Sequence, residues 1–461
     1  MKISSVNPCD QSIVGETECI VVSDLSHIVE SSRVAGRSWS TIKIEDRLEY
    51  IKKYRDSLVS NKQELANIIT VEMGKPITQS IGEIEMELEY LDFYISKSVN
   101  ILKEKIVRKD NDVTYKIIHE PLGVFVCIAP WNFPLTMFHT GVIPALIAGN
   151  TVVFKPSELS TISQSFAANL MVKTGLPEDV MQIAVGGKEV GAELINQNID
   201  AVWFTGSTKV GKEIYKKAGA KFIKVLLEMG GNSAAIVMND ANIDNAVENI
   251  FWGRYLCNGQ VCNADKRLFV QSDIYDKFMA KFIERIKSSK VGNPIDENTE
   301  IGPVVSTTQL DTLMSQLEDA LSSGARVLIG GKRSIDPELF GGNYLQPTVI
   351  SDVNSKMRVM QEEVFGPILP VMKFSTIEEV VELVNDSIYG LSGEVYTTNE
   401  QTAKGIAEQL KVGTVGINTS NYFKPECPFG GYRLSGLGRE YGEEGFLEFV
   451  QTKTIVTTGL I

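Results

Sequence analysis

Val124-Phe125-Val126-Cys127-Ile128 decides the fold when it is read with the downstream stretches Ile143 to Ala148 and Thr151-Val152-Val153-Phe154. The two apolar runs have strand length and the piece between them reads as helix. Strand, helix, strand is the unit from which a parallel sheet is built, because parallel neighbours need a crossover. Ala201-Val202-Trp203-Phe204 adds a later strand. A second alternation comes after Glu228. Ala234-Ala235-Ile236-Val237 and Leu268-Phe269-Val270 read as strands, Ile274 to Ile286 as helix, and Val327-Leu328-Ile329 and Leu369-Pro370-Val371-Met372 as further strands. The fold expected is α/β, with two doubly wound parallel-sheet domains joined near Lys224 to Glu228.

Working outward, Ile44 to Leu102 is rich in Glu, Lys, Leu and Ile at helical spacing, with Ile51, Tyr54, Leu58 and Leu65 on one face. Consecutive amphipathic helices are expected there. Ile106 to Ile118 and Phe449 to Val456 are polar, β-prone pieces with little core of their own, and read as arms.

At 461 residues the chain is too long for one small core. Its net charge of −13 speaks against nucleic acid, whose phosphates require clustered cations. No apolar run is long enough to span a bilayer, and the start lacks a signal-peptide pattern, so no membrane partner is expected. Six cysteines, at 9, 19, 127, 257, 262 and 427, are too sparse for a disulfide scaffold. Thiols kept reduced in a cytoplasm are the simplest reading. Three histidines (His27, His119, His139) make a histidine-rich metal site improbable, and no metal is expected.

The chemistry concentrates in Gly259-Gln260-Val261-Cys262 and, upstream, Leu227-Glu228-Met229-Gly230-Gly231-Asn232. Cys262 is a candidate nucleophile; a lone cysteine is more often a buried structural one, which is how Cys127 and Cys257 read. Glu228 follows Val225-Leu226-Leu227 and precedes two glycines, a setting that draws a carboxyl into a cleft and raises it towards a general base. Cys257, five residues before Cys262, is expected on another face of a helix.

Around these lie Pro130-Trp131-Asn132-Phe133-Pro134, Phe154-Lys155-Pro156-Ser157-Glu158, Phe204-Thr205-Gly206-Ser207-Thr208, Glu362-Glu363-Val364-Phe365-Gly366-Pro367 and Pro428-Phe429-Gly430-Gly431 into Ser435-Gly436. In these motifs, and in their order, the chain resembles the NAD(P)-dependent aldehyde dehydrogenases, with a texture closest to the succinate-semialdehyde branch. The resemblance implies a Rossmann-like cofactor domain over 1–105 and 122–227, a catalytic domain over 228–425, and an oligomerisation arm over 106–121 and 440–461. A homodimer or homotetramer acting on a small aldehyde is expected.

In that scheme Cys262 attacks the aldehyde and Glu228 activates water. Asn132, with the Cys262 N–H, holds the oxyanion. Trp131 walls the channel with Phe133. Gly206 and Ser207 face a pyrophosphate at a helix start, with Ser207 the favoured contact and helix capping its structural alternative. Lys155 and Glu158 lie at a strand end, where Glu158 accepts from ribose hydroxyls and Lys155 offsets its repulsion of a 2′-phosphate. Glu363 and Phe365 match family positions that hold the nicotinamide ribose, with Gln309 a weaker candidate, and Gly230 completes the cofactor set. NAD is preferred, with NADP possible.

The sequence departs from the succinate-semialdehyde branch at two positions that commonly carry carboxylate-binding arginines. Thr140 and Leu256 stand there, and neither has a guanidinium fork. Arg254 or Lys424 could compensate; otherwise Phe133, Phe138, Tyr422 and Phe423 would line a pocket for an aliphatic or aromatic aldehyde. Gly141 replaces a lysine that often pairs with the late glutamate, so Glu440 is expected to be structural. The alternatives are succinate semialdehyde as the specific substrate, a coenzyme-A-acylating relative, against which Glu228 speaks, and a catalytically silent protein on the same fold.

Overall fold

Strand Val124–Ile128 is buried at every position, so helices must cover both of its faces. The computed structural model, which describes residues 1–334 and 336–458, shows why. The strand pairs in parallel with Thr151–Lys155 on one side and Ala201–Thr205 on the other. The six-stranded sheet runs in the order Gly436–Leu437, Lys224–Glu228, Ala201–Thr205, Val124–Ile128, Thr151–Lys155, Met181–Ile183. Successive strands step outward from Val124–Ile128 first to one side and then to the other. The carboxyl ends of Val124–Ile128 and Ala201–Thr205 therefore flank the switch point where doubly wound sheets take their ligands.

The second sheet has seven strands, in the order Arg326–Ile329, Thr348–Ser351, Ile368–Phe374, Arg267–Gln271, Ala234–Val237, Ser392–Tyr396, Thr414–Ile417. The two expected α/β sheets are both present. Each also carries one antiparallel edge strand, Gly436–Leu437 in the first and Arg326–Ile329 in the second. An edge strand can be reached without a crossover helix, so nothing in a helical pattern announces it. Residues 229–233 carry the chain from the end of Lys224–Glu228 to the start of Ala234–Val237.

The upstream helices are Ile44–Ser60, Lys62–Met73 and Ile77–Ile101. Ile51, Tyr54 and Leu58 share the buried face of the first, but Leu65 belongs to the second, because the chain leaves helical geometry at Asn61. Helices Ile44–Ser60 and Ile77–Ile101 pack on Pro134–Ala148, which is buried along nearly its whole length. Its N-terminus receives no cap from its own neighbours. The Glu83 carboxylate accepts from Leu135 N–H at 2.9 Å and Thr136 N–H at 3.1 Å, where the helix dipole favours an anion. Lys75 pairs with Glu83, both side chains fully enclosed, and its ammonium lies 3.6 Å from the centre of the Phe133 ring.

Strands Lys105–Asp110, Val113–Pro121 and Val450–Thr458 form a separate three-stranded antiparallel sheet. The C-terminal arm strand is shorter than the expected 440–461. Phe446 and Phe449 are buried in the core beneath the first sheet, and Glu440 and Tyr441 line the cavity that Cys262 borders. Residues 459–461 lie outside the described part of the chain.

Removing one partner of a buried ion pair strands the other without water. Glu83→Leu is therefore expected to lower stability by about 3–5 kcal/mol, read from urea unfolding midpoints, and Lys75→Met/Glu83→Leu to recover much of that loss.

Candidate active site

Glu228 ends its strand 3% exposed, and neither carboxyl oxygen has a hydrogen-bond partner among the described residues. Burial pushes its pKa well above the ordinary carboxylate value, Glu440 adds to the rise, and Arg439 opposes it. Burial raises the proton affinity of a carboxyl so placed, and once ionised it can take a proton from water, which suits a general base. Gly430 stands against it: a Cβ there would lie 2.7 Å from Glu228 Oε1.

Cys262 follows a short 3-10 turn, Leu256–Gly259, in which Cys257 (φ 50°), Asn258 (φ 55°) and Gly259 (φ 72°) are left-handed. The expected helix between Cys257 and Cys262 is absent, because the left-handed residues break the 3.6-residue repeat. Cys257 does point elsewhere: it is buried, with its thiol 3.6 Å from Asn132 O and its N–H bonded to Gln79 Oε1 at 2.8 Å. Cys262 is half-buried and borders a cavity of about 510 Å³, whose walls include Asn132, Phe133, Trp252, Leu256, Phe423, Glu440 and Tyr441. Burial pushes its thiol up to about 12, the Lys266 ammonium pulls it down, and Glu228, Glu363 and Glu440 push it further up. The resting group is a thiol and must lose its proton as it attacks.

Lys266 is a site residue that the sequence reading misses. It is fully buried, donates to Val261 O at 2.8 Å and to Cys262 O, and lies 3.3 Å from Glu363. A lysine four residues after the thiol, at the threshold of strand Arg267–Gln271, is the available signal. Asn132 lines the same pocket, and its amide donates to Gln260 O at 2.9 Å, tying the oxyanion candidate to the thiol's loop. The Gln260 side chain locks that loop in turn, accepting from Val305 N–H at 2.8 Å.

Glu440 differs from its expected structural role: it is buried, yet it lines the pocket and faces Glu228. Trp203 Nε1 donates to its Oε1 at 2.7 Å, and burial raises it to about 8. A Cβ at Gly141 would sit 2.7 Å from the Trp203 ring, so the indole fills the space beside Gly141 and supplies the donor.

The cofactor candidates gather at the carboxyl ends of the first sheet. Trp131 follows Val124–Ile128, and Gly206 and Ser207 follow Ala201–Thr205, so these three residues flank the switch point. Ser207 caps helix Thr208–Lys221, accepting from Val210 N–H at 3.4 Å. Lys155 and Glu158 are 3.4 Å apart at the end of the next strand. Glu363 accepts from Gly231 N–H at 3.0 Å, and Phe365 packs edge-on against Trp131 with centroids 5.6 Å apart. Gln309 donates to Phe365 O at 3.0 Å. A charged pair, a helix start and an aromatic wall along one sheet edge match a dinucleotide's ribose, pyrophosphate and ring.

Several substrate candidates are displaced. Thr140 does not line the cavity: its buried hydroxyl is bonded to Thr136 O and Tyr441 Oη, both at 2.8 Å. Arg254 cannot clamp a ligand: it is fully buried and donates to the carbonyls of Val364 (3.0 Å) and Gly366. Phe138 belongs to the core, and Tyr422 stands behind Asn263. Leu256, Phe133 and Phe423 do line the wall, and Lys424 sits at the rim, 60% exposed and 3.8 Å from Glu89.

A switch-point sheet handing its chain to a second sheet, with a thiol and a buried carboxyl at the junction, defines a two-domain α/β enzyme. Comparison with known proteins gives the family. Residues 1–455 match the aldehyde dehydrogenase family. The mitochondrial succinate-semialdehyde dehydrogenase of Arabidopsis thaliana is 35% identical over 451 residues, 97% of this chain and 85% of that protein. A probable succinate-semialdehyde dehydrogenase [NADP(+)] of Sinorhizobium fredii is 34% identical over 462 residues, 100% of this chain and 93% of that one. The betaine aldehyde dehydrogenase of Staphylococcus aureus in complex with NAD+ has a TM-score of 0.96 at 34% identity, covering 99% of this chain and 91% of that chain. The chain belongs to the aldehyde dehydrogenase family.

Lys266 is the one cation that pulls the Cys262 thiol down. Lys266→Met is expected to slow alkylation of Cys262 by iodoacetamide at pH 8 by about tenfold, the effect of one further pK unit. Peptide-resolved mass spectrometry, with exposed Cys427 as internal reference, measures it.

Proposed function

We propose that the protein oxidises an aldehyde to its carboxylic acid with Cys262 as nucleophile, Glu228 as general base and Asn132 as oxyanion donor. The observation that carries this reading is Glu228 itself, a buried carboxyl without a partner, one short linker away from the wall that holds the thiol. The Cys262 sulfur bonds to the aldehyde carbon, the thiol proton passes to a carboxyl, and the carbonyl oxygen becomes the oxyanion that Asn132 and the Cys262 N–H stabilise. A bound nicotinamide supplies the acceptor for the hydride that leaves this carbon with its electron pair. The thioester left on Cys262 is resolved by water. Glu228 takes the water's proton, the carbon–sulfur bond breaks, and the acid departs. Glu440, whose charge acts on Glu228, is in its ionised form the proposed acceptor for the proton that Glu228 must shed before the next turnover.

For the cofactor, Lys155, Glu158, Gly206, Ser207, Gly230, Trp131, Glu363 and Phe365 form the proposed site. Glu158 favours NAD through the ribose hydroxyls, and Lys155, with its ammonium 3.4 Å from Glu158, leaves NADP accessible. Water rather than coenzyme A resolves the thioester, since transfer to a thiol does not require Glu228. The wall of Phe133, Leu256 and Phe423, without an inward arginine, favours substrates other than succinate semialdehyde.

The proposed domain division keeps 1–105 and 122–227 for the cofactor and 228–425 for catalysis. The arm sheet exposes Ile106, Val107, Ile455 and Val456, which supports a homodimer or homotetramer. Six free cysteines support a reducing, cytoplasmic setting. No described helix is long and apolar enough to cross a membrane.

Glu228→Gln separates the two halves of the reaction. A first-turnover burst of reduced cofactor is expected to survive, with steady-state turnover lower by about two to four orders of magnitude. Equal loss of burst and steady state would place Glu228 before hydride transfer and overturn its assignment to water.

A further inference from the structure

Resting on the aldehyde-oxidising reading, we propose that the pocket is built for an aldehyde bearing a positive charge, an ammonium or quaternary ammonium group held against Glu394 with Asp265 behind it. Glu394 lies on strand Ser392–Tyr396, takes no part in the oxidation mechanism, and is only 2% exposed, yet it forms part of the cavity wall beside Trp252 and Asn263. Tyr396 Oη donates to it.

Asp265 stands behind Glu394 with no exposure, and neither of its oxygens accepts from any N–H or O–H donor among the described residues. The group in hydrogen-bonding reach is the Glu394 carboxyl. On its other side Asp265 meets Gly253, which also lines the cavity. A Cβ at Gly253 would come within 2.4 Å of Asp265 Oδ2, so a glycine is all that separates this carboxyl from the pocket. An enclosed anion without donors is costly unless a countercharge arrives.

The neighbouring charges do not supply one. Arg254 and Lys266 are the cations that act on Asp265. Arg254 spends its donors on backbone carbonyls, and Lys266 is 3.3 Å from Glu363. Three carboxyls, Glu363, Asp265 and Glu394, thus face two cations, and the surplus carboxyl either keeps a proton or meets a cation from the pocket. Tyr396 and Tyr422 bring neutral hydroxyls to the same place. Trp252 and Phe423 add ring faces to the wall, and such faces attract alkylammonium groups. The rim cation Lys424 is already beside Glu89, so little opposes entry of a positive charge.

The acid pair also gives the preference a pH dependence. Burial raises Asp265 to about 7 and Glu394 well above its ordinary value, so the empty pair holds a proton near neutrality. A bound cation displaces that proton, and its affinity therefore rises as pH rises through about 7, whereas a neutral ligand of the same shape is indifferent. A pair that merely ties strand Ser392–Tyr396 to the loop at 263–266 would show neither effect.

The test compares (trimethylammonio)acetaldehyde with 3,3-dimethylbutanal, which match in shape and differ in charge. The cation is expected to have the higher kcat/KM by at least about tenfold, and Glu394→Gln to collapse that ratio towards unity, mainly through KM of the cation. Asp265→Asn should reduce the ratio in the same direction. Choline, unreactive and permanently charged, needs no variant: its inhibition constant against 3,3-dimethylbutanal should fall several-fold between pH 6 and pH 8, while that of 3,3-dimethylbutan-1-ol stays flat. Equal use of the two aldehydes, or a choline constant independent of pH, overturns the proposal while leaving aldehyde oxidation intact. Failure to reduce NAD with either aldehyde would instead sink the parent reading.

Discussion

A Cβ at Gly230 would sit 2.3 Å from Glu363 Oε2, and one at Gly231 would sit 2.6 Å from the backbone oxygen of Cys262. These two positions therefore admit no side chain. Their bareness lets three separate pieces of chain close on one point: the end of the first sheet with Glu228, the loop that carries Cys262, and the 363–365 segment. Glu363 accepts from Gly231 N–H, Lys266 reaches both Glu363 and the carbonyl of Cys262, and Phe365 meets Trp131 from the other domain. The proposed nucleophile, base and cofactor wall thus share one packing constraint. A side chain at either glycine would drive these segments apart and change all three at once.

Carboxyls dominate the chemistry of this junction. Glu228, Glu440, Glu394 and Asp265 are all buried, and burial raises every one. The same low-dielectric setting pushes the Cys262 thiol up to about 12, so the thiol rests protonated. Attack by the thiol and activation of water both begin with a proton moving onto a carboxyl that is already inclined to hold one. Glu440 is set apart by its neutral donor, the Trp203 indole, which steadies its charge without supplying a cation.

Two parallel strands are legible in the sequence because each is a short, fully buried apolar run: Val124–Ile128 and Ala234–Val237 fall on the expected residues, whereas Met181–Ile183, Ser392–Tyr396 and Thr414–Ile417, too short or too polar to stand out, are not expected. The catalytic candidates are legible as motifs, since Asn132, Glu228 and Cys262 each lie in a turn or at a strand end with glycine or proline nearby. Long-range partners are not. Trp203 reads as one more apolar strand residue, and its bond to Glu440 spans 237 positions. Asp265 and Glu394 are isolated acids in sequence, and only the placement of their strands makes them a pair. The left-handed turn at Cys257 and Asn258 carries no composition signal apart from Gly259, so spacing alone suggests a helix where none exists. Lys266 resembles any charged residue before a strand until its burial is seen.

The central claim is that Cys262, and not the neighbouring Cys257, carries the acyl group that Glu228-activated water removes. Its most direct test is peptide mass mapping of the Glu228→Gln protein, quenched in acid within one turnover after mixing with an aldehyde and NAD. An acyl adduct on the Cys262 sulfur, in amounts matching the reduced cofactor formed, is the expected result. Reduced cofactor without an adduct, or an adduct on Cys257, would contradict the account.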